Sequence, residues 1–112
     1  MKKPAYVPDR GDIVWLQFNP QAGHEQAGHR PALILSPASY NRASGLMLCC
    51  PMTNQKKGYP FEVVISDDAH HTSVALADQV KSLDWKTRKA VKKGTASLNV
   101  VMETLGKLQT LL

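Results

Sequence analysis

Three features of the sequence predict an α+β fold: a small, curled antiparallel sheet of five or six strands, barrel-like in outline and carrying a C-terminal helix. Short runs of alternating or β-branched residues recur as far as Ala96. Glycine, proline and asparagine interrupt them at short intervals, leaving room for one brief internal helix. From Ser97 onward the apolar spacing changes to that of a helix. A chain of 112 residues can bury one modest core and not two, so residues 1–112 are expected to form a single domain.

The first strand is expected over DIVWLQF, Asp12–Phe18, with Ile13, Trp15 and Gln17 on one face and Val14, Leu16 and Phe18 on the other. Asn19 and Pro20 end it. QAGHEQAGH, with two glycines and no hydrophobic period, reads as a loop lasting until Pro31, which opens ALILS, a second and largely buried strand. Ser36 is placed to cap a two-turn helix that has Pro37 in its first turn and stops at Gly45. LMLCCPMT reads as the third strand, polar Asn54–Pro60 as an exposed loop, and FEVVIS as the fourth strand. Beyond a polar turn at DDAHH, SVALADQVKSL is one β-prone stretch and KAVKKGTA a shorter basic strand. Ser97 can cap the last helix, in which Leu98, Val101, Leu105, Leu108 and Leu112 lie 3, 4, 3 and 4 residues apart. That stripe must pack on something, either the sheet or a second subunit.

Hydrophobic residues make up 43% and charged residues 21%, the balance of a folded globular protein rather than a disordered one. MKKPAYVPDRGD puts prolines and charges where a secretory leader needs an apolar core, and no run approaches the roughly 18 apolar residues of a membrane span. A cytoplasmic protein without membrane contact is expected. Cys49 and Cys50 are adjacent, so on a strand their side chains point to opposite faces, and they read as reduced, buried thiols. Fourteen Lys and Arg against nine Asp and Glu give a net charge of +5, which favours a polyanionic partner. Lys81, Lys86, Arg88, Lys89, Lys92 and Lys93 crowd into thirteen residues interrupted by one acid, Asp84, the composition of a basic strip.

Several chemistries lack their motifs, for there is no GxSxG, P-loop or GxGxxG. His24-Glu25 followed by His29 fails as a zinc-protease motif, because the histidines lie five apart across Gly28 instead of four apart on a helical face. His70-His71 has no metal-ligand spacing and reads as surface. EQAGHRP, residues 25–31, still combines Glu25, His29 and Arg30 on one glycine-containing loop, and Thr53 ends the third strand. This set suits attack of an RNA 2′-hydroxyl on the adjacent phosphate with departure of the 5′-oxygen. That reaction needs a base, an acid and a cation on the phosphoryl oxygens, but in principle no metal or other cofactor. Arginine's planar fork fits the last role, although an acid and an arginine in a polar loop equally make a surface ion pair.

GDIVWLQFNPQAGHEQAGHRPALILSP, CCPMTNQKKGYPFEVVI and ALADQVKSLDW closely resemble the MazF/PemK family of toxins from bacterial toxin–antitoxin pairs, its MazF branch above all. The likeness runs from YVPDRGD to the C-terminal helix. It implies the SH3-like barrel with a C-terminal helix that the family shares with CcdB toxins, assembled as a homodimer. It also implies a sequence-specific, metal-independent endoribonuclease that cuts single-stranded mRNA, leaves a 2′,3′-cyclic phosphate and a 5′-hydroxyl, and arrests growth. The partner implied is an antitoxin whose disordered, acidic C-terminal segment lies along the toxin and excludes RNA, with promoter DNA reached only through that antitoxin.

By this resemblance Arg30 of the G-x-R-P loop contacts the scissile phosphate and Thr53 hydrogen-bonds a phosphoryl oxygen; their plainer roles are an ion pair and a strand-end cap. Glu25 matches the acid of the MazF branch, as base or as the group that orients Arg30. His24 matches a histidine that the PemK-like branch carries in AGHEQ and uses with an Arg-x-Asp pair. Asp78 fits the aspartate of that pair, but Leu76 stands at its arginine position, so the set is incomplete. Glu25 and His24 remain alternative bases, a histidine titrating near pH 6.5 and a carboxylate near 4, with His29 a neighbour. For RNA grip the family's basic groove points to Arg42, Lys56, Lys57, Lys81, Arg88 and Lys92, with Asp78 and Gln79 beside them. Tyr59, Phe61 and Trp85 offer stacking faces, although Phe61 and Trp15 suit the core better. The rivals are a non-enzymatic CcdB-like toxin that jams gyrase and an inactive antitoxin-binding module. GHRP and PMT argue for the nuclease.

Overall fold

The computed structural model describes residues 5–17, 29–68 and 71–112, whose strands form one curled, seven-stranded antiparallel sheet. Strand β1 (Asp12–Gln17) lies between β2 (His29–Ile34) and β7 (Val91–Thr95). Strand β3 (Leu46–Thr53) pairs with β2 along one edge, and its other edge is divided between two partners. Leu46–Cys49 pair with β6 (Lys81–Asp84), whereas Met52 and Thr53 pair with β5 (Thr72–Leu76), which carries β4 (Glu62–Asp67) beyond it. Helix α1 (Ala38–Ser44) joins β2 to β3, and helix α2 (Leu98–Gln109) follows β7.

Alternation along the strands loads both faces of the sheet. Val14, Leu16, Ala32, Ile34, Met47, Cys49 and Trp85 make one buried cluster. Ile13, Leu33, Leu35, Cys50, Met52 and Ala75 make the other, against which Val100, Leu105 and Leu108 of α2 pack. The two cysteines fall in different clusters as free thiols, and burial pushes them up to about 11 (Cys49) and about 12 (Cys50), far from the reactive thiolate range. Gly45 ends α1 with a φ of 76°, the left-handed stop its sequence position predicts. Ser97 caps α2 by accepting a hydrogen bond from the Val100 N–H at 3.2 Å.

Four local expectations are corrected. Pro31 does not open the second strand, because β2 begins two residues earlier at His29. The Ile34 carbonyl accepts from Gly11 on the β1 side and the Leu35 N–H donates to Leu48 on the β3 side. By alternation the Pro31 nitrogen faces β3, where pairing starts only at Ala32↔Pro51, so its missing N–H breaks no rung. Ser36 does not cap α1; its hydroxyl donates to Asn41 Oδ1 at 2.6 Å and accepts from the Leu48 N–H at 2.8 Å. Asp9 takes the capping role across the chain, accepting from the Ala38 N–H at 2.8 Å. SVALADQVKSL is broken by a 3-10 turn at Ala77–Gln79, since β3 needs different partners for its two ends. The stripe on α2 is covered only in its middle: Val101 is buried and Leu105 and Leu108 pack on the core, whereas Leu98 and Leu112 are 73% and 93% exposed.

Candidate active site

Starting β2 at His29 puts Arg30 on a strand, not on a loop, opposite Leu16 of β1. Register on the other side pairs Ala32 with Pro51, so two further residues along both strands lead to Arg30 and Thr53. Both line one groove of about 730 Å³. Ile13, Trp15 and Lys93 form one wall of it, and Ser66, Thr72 and Ser73 of β4 and β5 form another. Arg30 is exposed at this surface. The Thr53 hydroxyl accepts from the Gln55 N–H at 3.1 Å, which leaves its own hydrogen to donate.

Two groove residues were missed by the sequence reading. The Lys93 ammonium sits 5.3 Å from the ring centroid of Trp15, a cation–π contact that puts a positive charge on the wall facing Arg30's groove. Trp15 is therefore half-buried groove wall and not core as expected. The basic strand was legible, but choosing Lys93 over Lys92 needs the register, because one residue reverses the face. His71, read as plain surface, lies on the groove rim; its N–H donates to Asp68 Oδ1 at 2.8 Å and the Asp68 N–H donates back to its carbonyl at 2.8 Å. No sequence signal marked it, since the turn that delivers it is closed by its own backbone.

The other predicted residues are dispersed. Glu25 and His24 lie outside the described residues, as does Phe18, and of His29 only the backbone, paired with Gln17, is described. Lys57 and Gln79 line a second pocket of about 460 Å³ together with Thr53, Gln55, Tyr59 and Glu62, so Thr53 stands between the two cavities. Lys56 is bound to Asp67 at 3.2 Å, and this contact with the Thr72 hydroxyl holds the Asp67 carboxyl below its ordinary range. Asp78 accepts a hydrogen bond from the Tyr59 hydroxyl. Arg42 lies in the last turn of α1, Lys81 opens β6, and Lys92 of β7 pairs with Asp12 at 3.6 Å, all three outside both cavities' linings. Arg88 sits in the β6–β7 turn, where its carbonyl accepts from the Gln17 N–H. The crowded basic residues thus divide between β6, β7 and the turn joining them.

The aromatic residues also separate. Trp85 is core and not a stacking face: it is buried, and its indole N–H donates to the Asn41 carbonyl at 2.8 Å. Tyr59 is exposed and tilted at 53° against half-buried Phe61, with ring centroids 5.9 Å apart.

A groove with an arginine, a hydroxyl donor and a lysine on its walls, and the Asp68 carboxylate beside His71 on its rim, presents cationic and hydrogen-bonding contacts of the kind that phosphoryl oxygens take. Comparison with known proteins agrees with that chemistry. The family described as PemK-like, MazF-like toxin of type II toxin-antitoxin system matches residues 9–112. The chain is 52% identical over 107 residues to the endoribonuclease toxin MazF of Escherichia coli K12, covering 96% of each. It is 34% identical over 108 residues to the endoribonuclease PemK of Escherichia coli, covering 93% of this chain and 81% of that one. A crystal structure of MazE-MazF from Deinococcus radiodurans superposes with a TM-score of 0.88 at 53% identity, covering 96% of both chains. With the fold, the ordered motifs and these likenesses in agreement, the chain belongs to the PemK-like, MazF-like toxins of type II toxin–antitoxin systems.

Proposed function

We propose that this toxin is an endoribonuclease that cleaves single-stranded RNA in the groove shared by Arg30 and Thr53. The observation that carries the reading is their meeting in one groove from adjacent strands, in a chain whose relatives are named endoribonucleases. The Arg30 guanidinium holds the two non-bridging oxygens of the scissile phosphate, and the Thr53 hydroxyl donates to one of them. The ribose 2′-oxygen attacks phosphorus as its proton passes to a base. The bond from phosphorus to the 5′-oxygen breaks as that oxygen takes up a proton. A 2′,3′-cyclic phosphate and a 5′-hydroxyl result. Glu25 and His24 are the candidate bases, with His29 a neighbour and His71 an imidazole on the groove rim.

The same cationic groove suits an acidic antitoxin segment, in keeping with the MazE partner of the Deinococcus MazF. A homodimer in the cytoplasm, with promoter DNA reached through the antitoxin, completes the reading. The exposed Leu98 and Met102 of α2 leave apolar surface for such pairing. Neither rival, the gyrase-binding toxin or the inactive module, is favoured by relatives that are endoribonucleases.

The test is incubation of the purified protein with a long single-stranded RNA in EDTA, followed by sequencing of the new ends. Discrete cuts bearing 5′-hydroxyls are expected, falling at least about a hundredfold in both Arg30→Ala and Thr53→Ala. Intact RNA, or cutting that persists in Arg30→Ala, refutes the assignment.

A further inference from the structure

Beside the groove lies a polar construction that phosphate binding does not explain. Glu62, the first residue of β4, is 8% exposed, and its carboxylate turns back into the loop that precedes it. Its oxygens accept from the Lys57 N–H at 2.9 Å, the Gly58 N–H at 3.0 Å and the Tyr59 N–H at 3.2 Å. Gly58 makes the turn at a φ of 78°, a conformation that side chains resist. The Glu62 N–H donates to the Tyr59 carbonyl, and the Glu62 carbonyl accepts from Lys107 of α2 at 2.9 Å. Residues 54–60 are thus wound around an internal anion tied to the C-terminal helix. Their outward side chains line the second pocket, whose boundary with the groove is Thr53.

We propose that Glu62 is a positioning residue for substrate selection: it fixes the 54–60 loop so that Gln55, Lys57 and Tyr59, with Gln79, frame a pocket for the nucleobase flanking the phosphate held at Arg30 and Thr53. The inference rests on the reading of the groove as an RNA site. The Glu62 carboxylate gives its lone pairs to three consecutive amides, so it acts through the loop. Apart from the Tyr59 ring on Phe61 the 54–60 loop is polar, and ordering it on binding would cost conformational freedom; held beforehand by Glu62, it binds without that cost. The pocket's lining suits an unstacked base: the Tyr59 ring for its face, the Gln55 and Gln79 amides for both donors and acceptors on its edge, and the Lys57 ammonium for an adjoining phosphate. Its volume of about 460 Å³ is that of a small-ligand site.

Because Glu62 touches no reacting atom, its loss alters which sequences are held more than how fast a held phosphodiester breaks. The experiment compares Glu62→Ala, the near-isosteric Glu62→Gln and the loop variant Gln55→Ala with the unsubstituted chain. Steady-state cleavage of a short single-stranded RNA is measured, and cut sites in a long RNA are mapped by end sequencing. Glu62→Ala is expected to raise KM by about tenfold with kcat held within about threefold, and to broaden the bases accepted at one flanking position. Glu62→Gln, which keeps an acceptor oxygen, falls between, and Gln55→Ala broadens the same position. Unchanged KM and cut sites in Glu62→Gln and Glu62→Ala, or a fall in kcat alone, overturns the proposal; if the alanine variant does not fold, the glutamine variant decides. Absence of cutting by the unsubstituted chain overturns the nuclease reading as well, whereas normal cutting with unaltered selection in the variants removes only the role of Glu62.

Discussion

The two ends of strand β3 share a backbone and little else. At the Leu46–Cys50 end the buried polar side chains nearby, Ser36 and Asn41, are neutral and turned inward, while Lys81 and Asp84 of the paired β6 stay exposed. Asn41, fully buried, donates to the Pro8 carbonyl at 2.7 Å and the Ser36 carbonyl at 3.0 Å, accepts from the Ser36 hydroxyl, and offers its own carbonyl to Trp85. At the Thr53 end charged groups gather: Arg30 and Glu62 line open cavities, and Lys56, Asp67 and Asp78 lie on the same side, bound to Asp67, Lys56 and Tyr59 respectively. A neutral amide is buried at modest cost once every bond is made, whereas a charge without water needs close partners. One end of β3 therefore holds the sheet together, and the other is left where a ligand can reach it.

The largest test of that division is Asn41→Ala. It strips partners from two carbonyls and a hydroxyl inside the core and opens a small cavity, so the folded state should lose about 2–4 kcal/mol. Urea unfolding reads the loss, and RNA cleavage per folded molecule should stay unchanged. A midpoint shift worth less than about 0.5 kcal/mol, the size of an ordinary surface substitution, would break the comparison. So would a fall in cleavage by the folded fraction, since the buried end would then be feeding the groove.

A smaller effect separates neighbouring lysines on β7. Lys93 lines the groove over Trp15, while Lys92 is turned to Asp12. Removing one phosphate contact from a single strand lowers the slope of log affinity against log salt by about 0.7. Lys93→Ala should show that change in binding to a non-cleavable single-stranded RNA analogue, together with a few-fold weaker affinity at moderate salt. Lys92→Ala should change the slope less. The reverse ranking would restore the sequence-based choice of Lys92 and place the bound strand elsewhere.

Those lysines also mark where sequence reasoning ends. The strands from Ile13 to Val64 were legible because alternation, β-branching and breakers agree, and the α2 cap was legible because Ser97 precedes an abrupt change of period. Arg30 and Thr53 were legible as residue types in a resembling motif, and their shared groove follows from a register no local pattern encodes. Trp85 misled because an aromatic in a basic stretch looks like a stacking face, while the partner that buries its indole N–H, Asn41, lies 44 residues away in sequence. The splitting of β5 from β6 was equally hidden, being imposed by the two partners of β3 and not by a breaker in ADQV. Long-range pairing decided both of these misses.

The smallest expected effect is a difference in acid response between the two ends. The amides of Lys57, Gly58 and Tyr59 hold the Glu62 carboxyl below its ordinary range against a smaller opposing effect of burial, and Lys56 and Thr72 do the same for Asp67. A carboxyl depressed in the folded chain lends stability in full above its unfolded pKa, near 4, and that stability disappears as pH falls through the lower folded value. The Asn41 network holds no titratable group among the bonds named for it, so protonation leaves those bonds intact. Amide exchange from pH 5 downward should therefore quicken at Lys57, Gly58 and Tyr59 only below about pH 4, before Leu48 and the β2 amides lose protection. The Lys86 and Thr87 amides, held by the depressed carboxyl of Asp84, provide an internal control that should loosen over the same acid range. If protection at 57–59 survived below that range while the Asp84 turn opened, Glu62 would not be the group that holds the loop. If both ends opened together near neutrality, the charged end would not be separable from the neutral one.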